Sequence, residues 1–467
     1  MKLKFTLLLV AIIAMASIHV APSRGQDGPT VPAVLTMPEQ IAGGRDVHIT
    51  VSNKPPADLV DELALYESQV AKFQEMYPNV TVEGLELEYD PTAYLALVAG
   101  GQLPTLFKTY FTEPEKFIGQ NAVADLTPLY TTTGLDKVFN PNVLAIASQD
   151  GKVYGIPDFA YSLGLAYNIQ MLADAGYDAP PTTWDELAEM AVKLTNKDDG
   201  VAGFAFINDG SGATGWHYTN IAYGFGATPE DIIKPEGDGN YSAHFGEGAT
   251  VDALNFIHDL RWEYDVLPGA TLDWGTITEA LASDRVAMVI YAGDQLGYMN
   301  NQFPDADLSN FGYAPMPAGP NGSVSLTGGN LWMVNGSASA DEQEAAFYFQ
   351  AWRQFDPTEY QNSIITLSEQ GRAVGQPVLP LYVGDYQTAR EAFEAQYNVL
   401  PVENYTAFNE AVKAGEVTLQ AEPPAAAQDY YSELGVLVTE VLSDEHSDPA
   451  GRLAEVAEEF QAFVLDR

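Results

Sequence analysis

Cysteine is absent from the 467 residues. That excludes disulfides, a thiolate metal site, a catalytic cysteine and a lipid tether on a cysteine. Basic residues are scarce as well: 21 Lys and Arg face 64 Asp and Glu, for a formal charge of −43. Nucleic acid is therefore a poor partner, because phosphate binding needs a basic footprint. An anionic membrane surface would repel the chain for the same reason. Two readings of the acidity stay open, a solvated carboxylate surface or adaptation to high salt. No G-x-S-x-G, H-E-x-x-H or glycine-rich phosphate loop occurs, and the 6 histidines are scattered without ligand spacing. Nothing here calls for a metal or a cofactor.

Long apolar runs are confined to the amino terminus. Lys2 and Lys4 precede the run Phe5–Ala16, and Ser23-Arg24-Gly25 follows. A positive start, a short apolar stretch and a small-x-small site predict an export signal, residues 1–25, cut near Gly25. The alternative is a retained anchor, for which the stretch is slightly short of the ~20 residues of a span. Residues 26–45, rich in Gly, Pro and Thr, read as a flexible leader.

What is present in quantity is hydrophobic residues, 46% of the chain. That is ample for folding, and the length predicts more than one domain or lobe. Val47, Ile49 and Val51 alternate as in a strand. Leu59, Leu63, Tyr66, Val70, Phe73 and Tyr77 recur at helical spacing and stop at Pro78. Further strands are expected in Asn79–Tyr89 and Thr105–Phe111, around a short helix closed by Gly100 and Gly101. Strand and helix in alternation predict an α/β fold with a largely parallel sheet. Ligands in such sheets lie beyond the carboxyl ends of strands, which puts Asn53, Lys54, Lys108, Tyr110 and Phe111 at a crevice rim.

Asp150–Asn168, "DGKVYGIPDFAYSLGLAYN", carries four aromatic residues, Tyr154, Phe159, Tyr161 and Tyr167, beside Gly155, Pro157 and Asp158. Beyond it, Thr183 and Glu186 form a capping box that starts a helix, and Trp184 lies on its apolar face as core. "GSGATGWHYTN" reads as a Gly/Ser/Thr loop, and most of the last third reads as helical.

The motifs "LALVAGGQLPTL", "AVADLTPLY", "DGKVYGIP", "LGLAYNIQMLADAG", "PPTTWDEL", "EALASDRVAMVIY" and "YAPMPAGPNGSVSLTGGNLWMV" occur in one order. That order resembles family 1 extracellular solute-binding proteins, the capture components of ATP-driven importers, best known in the maltose-binding type. The resemblance covers about Val47 to Trp352. Thr105 departs from it, standing where the family usually carries an aspartate.

The resemblance implies two α/β lobes of the periplasmic-binding-protein type II, each a mixed sheet flanked by helices. Residues 46–157 and 316–372 would form the first lobe, 158–315 and 373–467 the second. The chain would cross near Tyr154–Asp158, Phe311–Pro317 and Gly371–Gln376. A monomer would close on a small-molecule sugar and deliver it to the permease subunits of an ABC importer, without catalysis. Aromatic faces would cover the C–H face of the sugar, while carboxylates and amides take its hydroxyls.

Carried over position by position, the pattern gives Lys54, Lys108, Tyr110, Phe111, Asp158, Tyr161, Trp216, His217, Tyr291, Asp294, Asn330, Trp332, Arg372 and Tyr430 as candidate ligand contacts. Several have a plainer reading. Trp332 and Tyr291 lie in apolar strands and fit a core equally well. Asp158 fits a turn carboxylate that satisfies backbone donors. His217 reads as a hydrogen-bond partner, and Arg372 as the partner of some carboxylate. A secreted glycoside hydrolase and a binding protein for a cation such as a polyamine are the competing functions.

Overall fold

The structure is a computed structural model that describes residues 28–466; the expected export signal, residues 1–25, lies outside the described residues. Nine strands form one sheet: β1 (Val47–Val51), β2 (Val80–Gly84), β3 (Leu106–Tyr110), β4 (Gly155–Asn168), β5 (Ala202–Ala205), β6 (Val286–Ala292), β7 (Phe311–Ala314), β8 (Ser323–Val334) and β9 (Val417–Gln420). Their order is β2-β1-β3-β8-β4-β6-β5, with β7 beside β4 and β9 beside β8.

Two long strands turn this sheet into two lobes. Gly155–Ser162 of β4 pairs antiparallel with Thr327–Met333 of β8, and β8 continues onto β3. From Leu163 onward β4 pairs instead with β6 and β7. In the first lobe Ile49, Phe73, Leu106, Phe347, Phe349 and Phe355 are fully buried together. In the second, Leu187, Ile221, Leu254, Met288, Ile290 and Leu434 do the same.

Local chemistry sets the helix limits. Helix Val60–Met76 carries Asp61 and Glu62 in its first turn, where carboxylates favour the dipole, and ends ahead of Pro78. Thr183 caps helix Trp184–Leu194 by accepting from the Glu186 amide (3.2 Å). The Glu186 carboxylate reaches one residue further back than a capping box requires, taking the Thr182 amide (2.8 Å) and hydroxyl (2.6 Å). Trp184 is core at 5% exposure. Truncating a buried side chain of this size typically costs about 3–5 kcal/mol. Thr105, at the departure from the family pattern, exchanges bonds with Thr50 through both hydroxyls and both amides, which closes the loop without a carboxylate.

Several expectations need correction. Part of the stretch expected to be a flexible leader is packed: Val31, Ile41 and Ala42 enter the first core, and Tyr77 Oη donates to the Pro38 carbonyl (2.6 Å). Its few apolar residues find sockets despite the Gly/Pro-rich composition. Phe311–Ala314 pairs with Leu165–Asn168 inside the second lobe, so β8 makes the second crossing in place of Phe311–Pro317. The third crossing falls later than Gly371–Gln376. Helix Gly384–Glu394 still buries Tyr386 and Phe393 in the first core, and second-lobe burial resumes at Leu400 and Tyr405. The stretch 379–393, expected in the second lobe, therefore packs with the first. From Gly212 onward the "GSGATG" stretch is the first turn of helix Gly212–Gly224, capped by Ser211, in place of the expected loop.

Candidate functional site

Where the crossing strands pass between the lobes, they floor a cavity of about 320 Å³. β3 brings Tyr110 to its first-lobe wall, at the strand's carboxyl end. β4 contributes Tyr161, and β8 contributes Gly328 and Gly329. The glycines have a steric reason. A Cβ on Gly329 would stand 2.4 Å from Phe111 Cε2 and 2.4 Å from the Phe159 carbonyl oxygen.

The second-lobe wall is built by helix starts. Asp209 Oδ1 accepts from the Ser211 amide (3.0 Å) and the Thr214 hydroxyl (3.0 Å), and Ser211 caps the amide of Ala213 (3.2 Å). This network sets the first turn of helix Gly212–Gly224 and presents Trp216 to the cavity. Trp216 stands edge-on to Tyr161, with ring centroids 5.9 Å apart, and 6.2 Å from Trp274. Trp274 opens helix Trp274–Ala282 behind an Asp273/Thr276 capping box. Tyr431, Gln428 and Glu422 complete this side.

Two carboxyl groups line the cavity. Asp294 precedes helix Gln295–Gln302 but makes no side-chain cap bond, and its Oδ1 is buried without a partner among the described residues. Burial pushes its pKa up to about 6. Burial also pushes Glu422 up to about 8, against the Tyr431 hydroxyl that donates to its Oε1 (3.3 Å), with Glu113 of the facing lobe adding to the rise. No Lys or Arg side chain is among the described lining residues. The lining can therefore stack on apolar faces and accept hydrogen bonds, and no lining cation neutralises its acids.

Tyr110, Tyr161, Trp216 and Asp294 are thus the sequence-read candidates brought together in one cavity. Lys108 and Asp158 satisfy each other at 2.9 Å just behind it. Burial alone would raise Asp158, but the attraction of Lys108, helped by Arg353, holds it below the usual carboxylate range. Phe111 packs behind Gly329, Asn330 is half-buried in β8, and Trp332 is core at 4% exposure, beside Lys108 (5.9 Å) and Arg353 (5.7 Å).

The remaining candidates do not reach the cavity. Lys54 pairs with Glu86 (3.4 Å), and Arg372 pairs with Glu62. His217 is fully buried behind Trp216; burial drives its pKa down to about 3, and its Nδ1 accepts from the Ile207 amide (3.3 Å). Tyr291 is core, its hydroxyl bonded to Thr278 (2.9 Å) and the Gln295 carbonyl. Tyr430 packs on Phe245 and Phe460, leaving its neighbour Tyr431 to face the cavity. Trp274, Gln295, Glu422 and Gln428 carry the lining that sequence reasoning missed. For Trp274 a signal existed, the Asp-x-x-Thr cap just ahead of an apolar helix.

A larger cavity, about 590 Å³, lies between helices Gly384–Glu394 and Thr406–Ala414. Its charges are largely satisfied: Asp158 by Lys108, Lys413 by Glu391 (3.6 Å), Glu394 by the Tyr360 hydroxyl. The smaller cavity, with a partnerless acceptor among clustered rings, is the better site.

The model of the family described as bacterial extracellular solute-binding protein matches residues 56–353. The chain belongs to this family. A binding protein of Brucella abortus is 27% identical over 226 residues, 47% of this chain and 51% of that protein. The chain thus spans about half the length of the curated relatives it matches. Among solved structures, maltose-bound MalE3 of T. maritima aligns with a TM-score of 0.70 at 20% identity, covering 90% of this chain and 100% of that one. An ABC transporter solute-binding protein of Thermotoga lettingae bound to α-D-tagatose aligns with a TM-score of 0.69 at 20% identity, covering 90% and 99%. Both share the two-lobed fold. No described helix is long and apolar enough to cross a membrane.

Proposed function

We propose that the chain is the solute-capturing component of an ABC importer, working outside the cytoplasmic membrane. It holds a neutral sugar or short oligosaccharide between the lobes and hands it to the permease subunits without chemical change. The observation that carries this reading is the pairing of Tyr161, Trp216 and Trp274 with the partnerless Asp294 in an interlobe cavity. A pyranose presents C–H faces that fit against rings, while its hydroxyls donate to a buried carboxylate that otherwise lacks a partner. The maltose and tagatose in the two structural neighbours fit the same chemistry.

Capture requires that a ligand favour the closed arrangement, in which both lobes touch it at once. The crossing strands β4 and β8 and the third crossing, between Glu394 and Leu400, are the segments that would bend. The working unit is a monomer with the lobes divided at these crossings.

Tryptophan-fluorescence titration against a panel of sugars and polyols, with chromatography of the recovered ligand, tests the reading. Saturable binding with the ligand recovered intact is expected; release of hydrolysis products would overturn it in favour of a glycoside hydrolase. One observation favours a second reading. With two acids and no basic side chain lining the cavity, a cation would also be stabilised among the rings. Spermidine belongs in the same panel, and its binding in place of every sugar would establish that alternative.

A further inference from the structure

Two hydrogen bonds join the lobes directly on one side of the cavity. Gln428 Nε2 of the second lobe donates to Thr112 Oγ1 of the first (3.1 Å). Tyr241 Oη, on the hairpin Ile233–Ala243 of the second lobe, donates to Glu115 Oε1 (2.8 Å). Both acceptors belong to the short stretch 112–115 that follows β3, two residues past the cavity wall at Tyr110. This stretch is anchored from within its own lobe. Glu113 is buried at 2% exposure and accepts from Tyr89 Oη (2.5 Å), and Phe117 behind it is core. Gln428 is itself a lining residue, and its bond to Thr112 places the stretch 112–115 directly behind that part of the lining.

Resting on the carbohydrate reading above, we propose that residues 112–115, held across the cleft by Gln428 and Tyr241, form an end wall that limits the ligand to one or two sugar rings. A longer chain running out on this side would have to break both bonds. The Tyr241–Glu115 pair is solvent-exposed and would pass to water, but the part-buried Gln428 and Thr112 groups would be left unpaired as the lobes close, which costs affinity. The cavity volume of about 320 Å³ agrees, lying at the small end of the ~300–1,000 Å³ usual for small-molecule sites. Gln428 and Tyr241 then determine ligand length, while Tyr161, Trp216 and Asp294 determine ligand chemistry.

The test is isothermal titration of the full chain with one- to four-ring members of the malto-, cello-, xylo- and chito-oligosaccharide series. The wild type is expected to bind one- or two-ring ligands and to lose about tenfold or more in affinity by four rings. The double variant Tyr241→Phe/Gln428→Ala is expected to bring four-ring ligands within about threefold of the shorter ones. Thermal melts of each variant report folding independently. Equal wild-type affinity for two and four rings would sink the end wall and leave the carbohydrate reading standing. An unchanged length profile in the folded double variant would sink the roles of these two residues. Failure of every carbohydrate to bind would remove the carbohydrate reading and the end wall with it.

Discussion

Asp294 and Glu422 hold their protons more tightly in the folded protein than an exposed carboxyl does, and burial is the cause in both. A group whose folded value is raised stabilises the fold fully below its unfolded value, and that contribution is lost as pH rises through the folded value. For Asp294 the window runs from 3.8 to about 6, and for Glu422 from 4.5 to about 8. The melting temperature of the unliganded protein should therefore fall between these limits. Glu422→Gln keeps the shape and removes the titration, so its curve should be flatter than the wild type between pH 6 and 8. Circular dichroism melts across that range check this, and parallel curves would refute the burial argument for Glu422. Lys108 acts with the opposite sign, since its charge keeps Asp158 ionised. Lys108→Met leaves that carboxylate without its nearest cation. A loss of about 1–3 kcal/mol is expected by urea denaturation, below the ~3–5 kcal/mol of a fully buried pair because both side chains remain about a quarter exposed.

β8 is the element on which the site depends most, because it crosses between the lobes and floors the cavity. A Cβ on Gly328 would lie 2.8 Å from Tyr161 Cε2 and 3.1 Å from Trp216 Cζ2. Gly328→Ala should therefore displace the two rings that face the ligand while leaving the strand pairing intact. An affinity loss of about tenfold or more is expected, with a melting temperature within a few degrees of the wild type; titration beside a thermal melt checks both. The elements were legible where one face is apolar, as in helix Val60–Met76 with its 3-and-4 spacing and helix Trp184–Leu194 behind Thr183. They were not legible where both faces are covered. Helix Gly212–Gly224 is buried from Thr214 to Gly224, between helices Ala249–Trp262 and Ala427–Ser443, so it has no polar stripe and its glycines suggested a loop. The same fact explains the site. Trp216 and His217 are neighbours in sequence, but successive helical positions point about 100° apart, so one faces the cavity and the other the core. Glu422 sits in a Pro/Ala-rich patch with no periodicity, and only the fold brings it opposite Glu113.

At the scale of the whole molecule, carboxylates outnumber basic groups by 64 to 21, and most cannot have a cationic neighbour. Many of the ion pairs that do form are solvent-exposed, such as Lys197–Asp265 and Arg452–Glu455, and pairs of that kind contribute about 0–1 kcal/mol each. The net effect of charge on the folded state is therefore self-repulsion, which the expanded unfolded chain relieves. Salt acts on the repulsion more than on the pairs, because the Debye length falls from about 10 Å at 0.1 M to about 3 Å at 1 M and carboxylates several residues apart no longer feel each other. Raising sodium chloride from ~0.1 to ~1 M should raise the melting temperature. Potassium chloride should act alike, since screening depends on ionic strength and not on a specific cation. A melting temperature that stays level or falls with both salts would show that the surface carboxylates are dispersed enough for water alone to accommodate them.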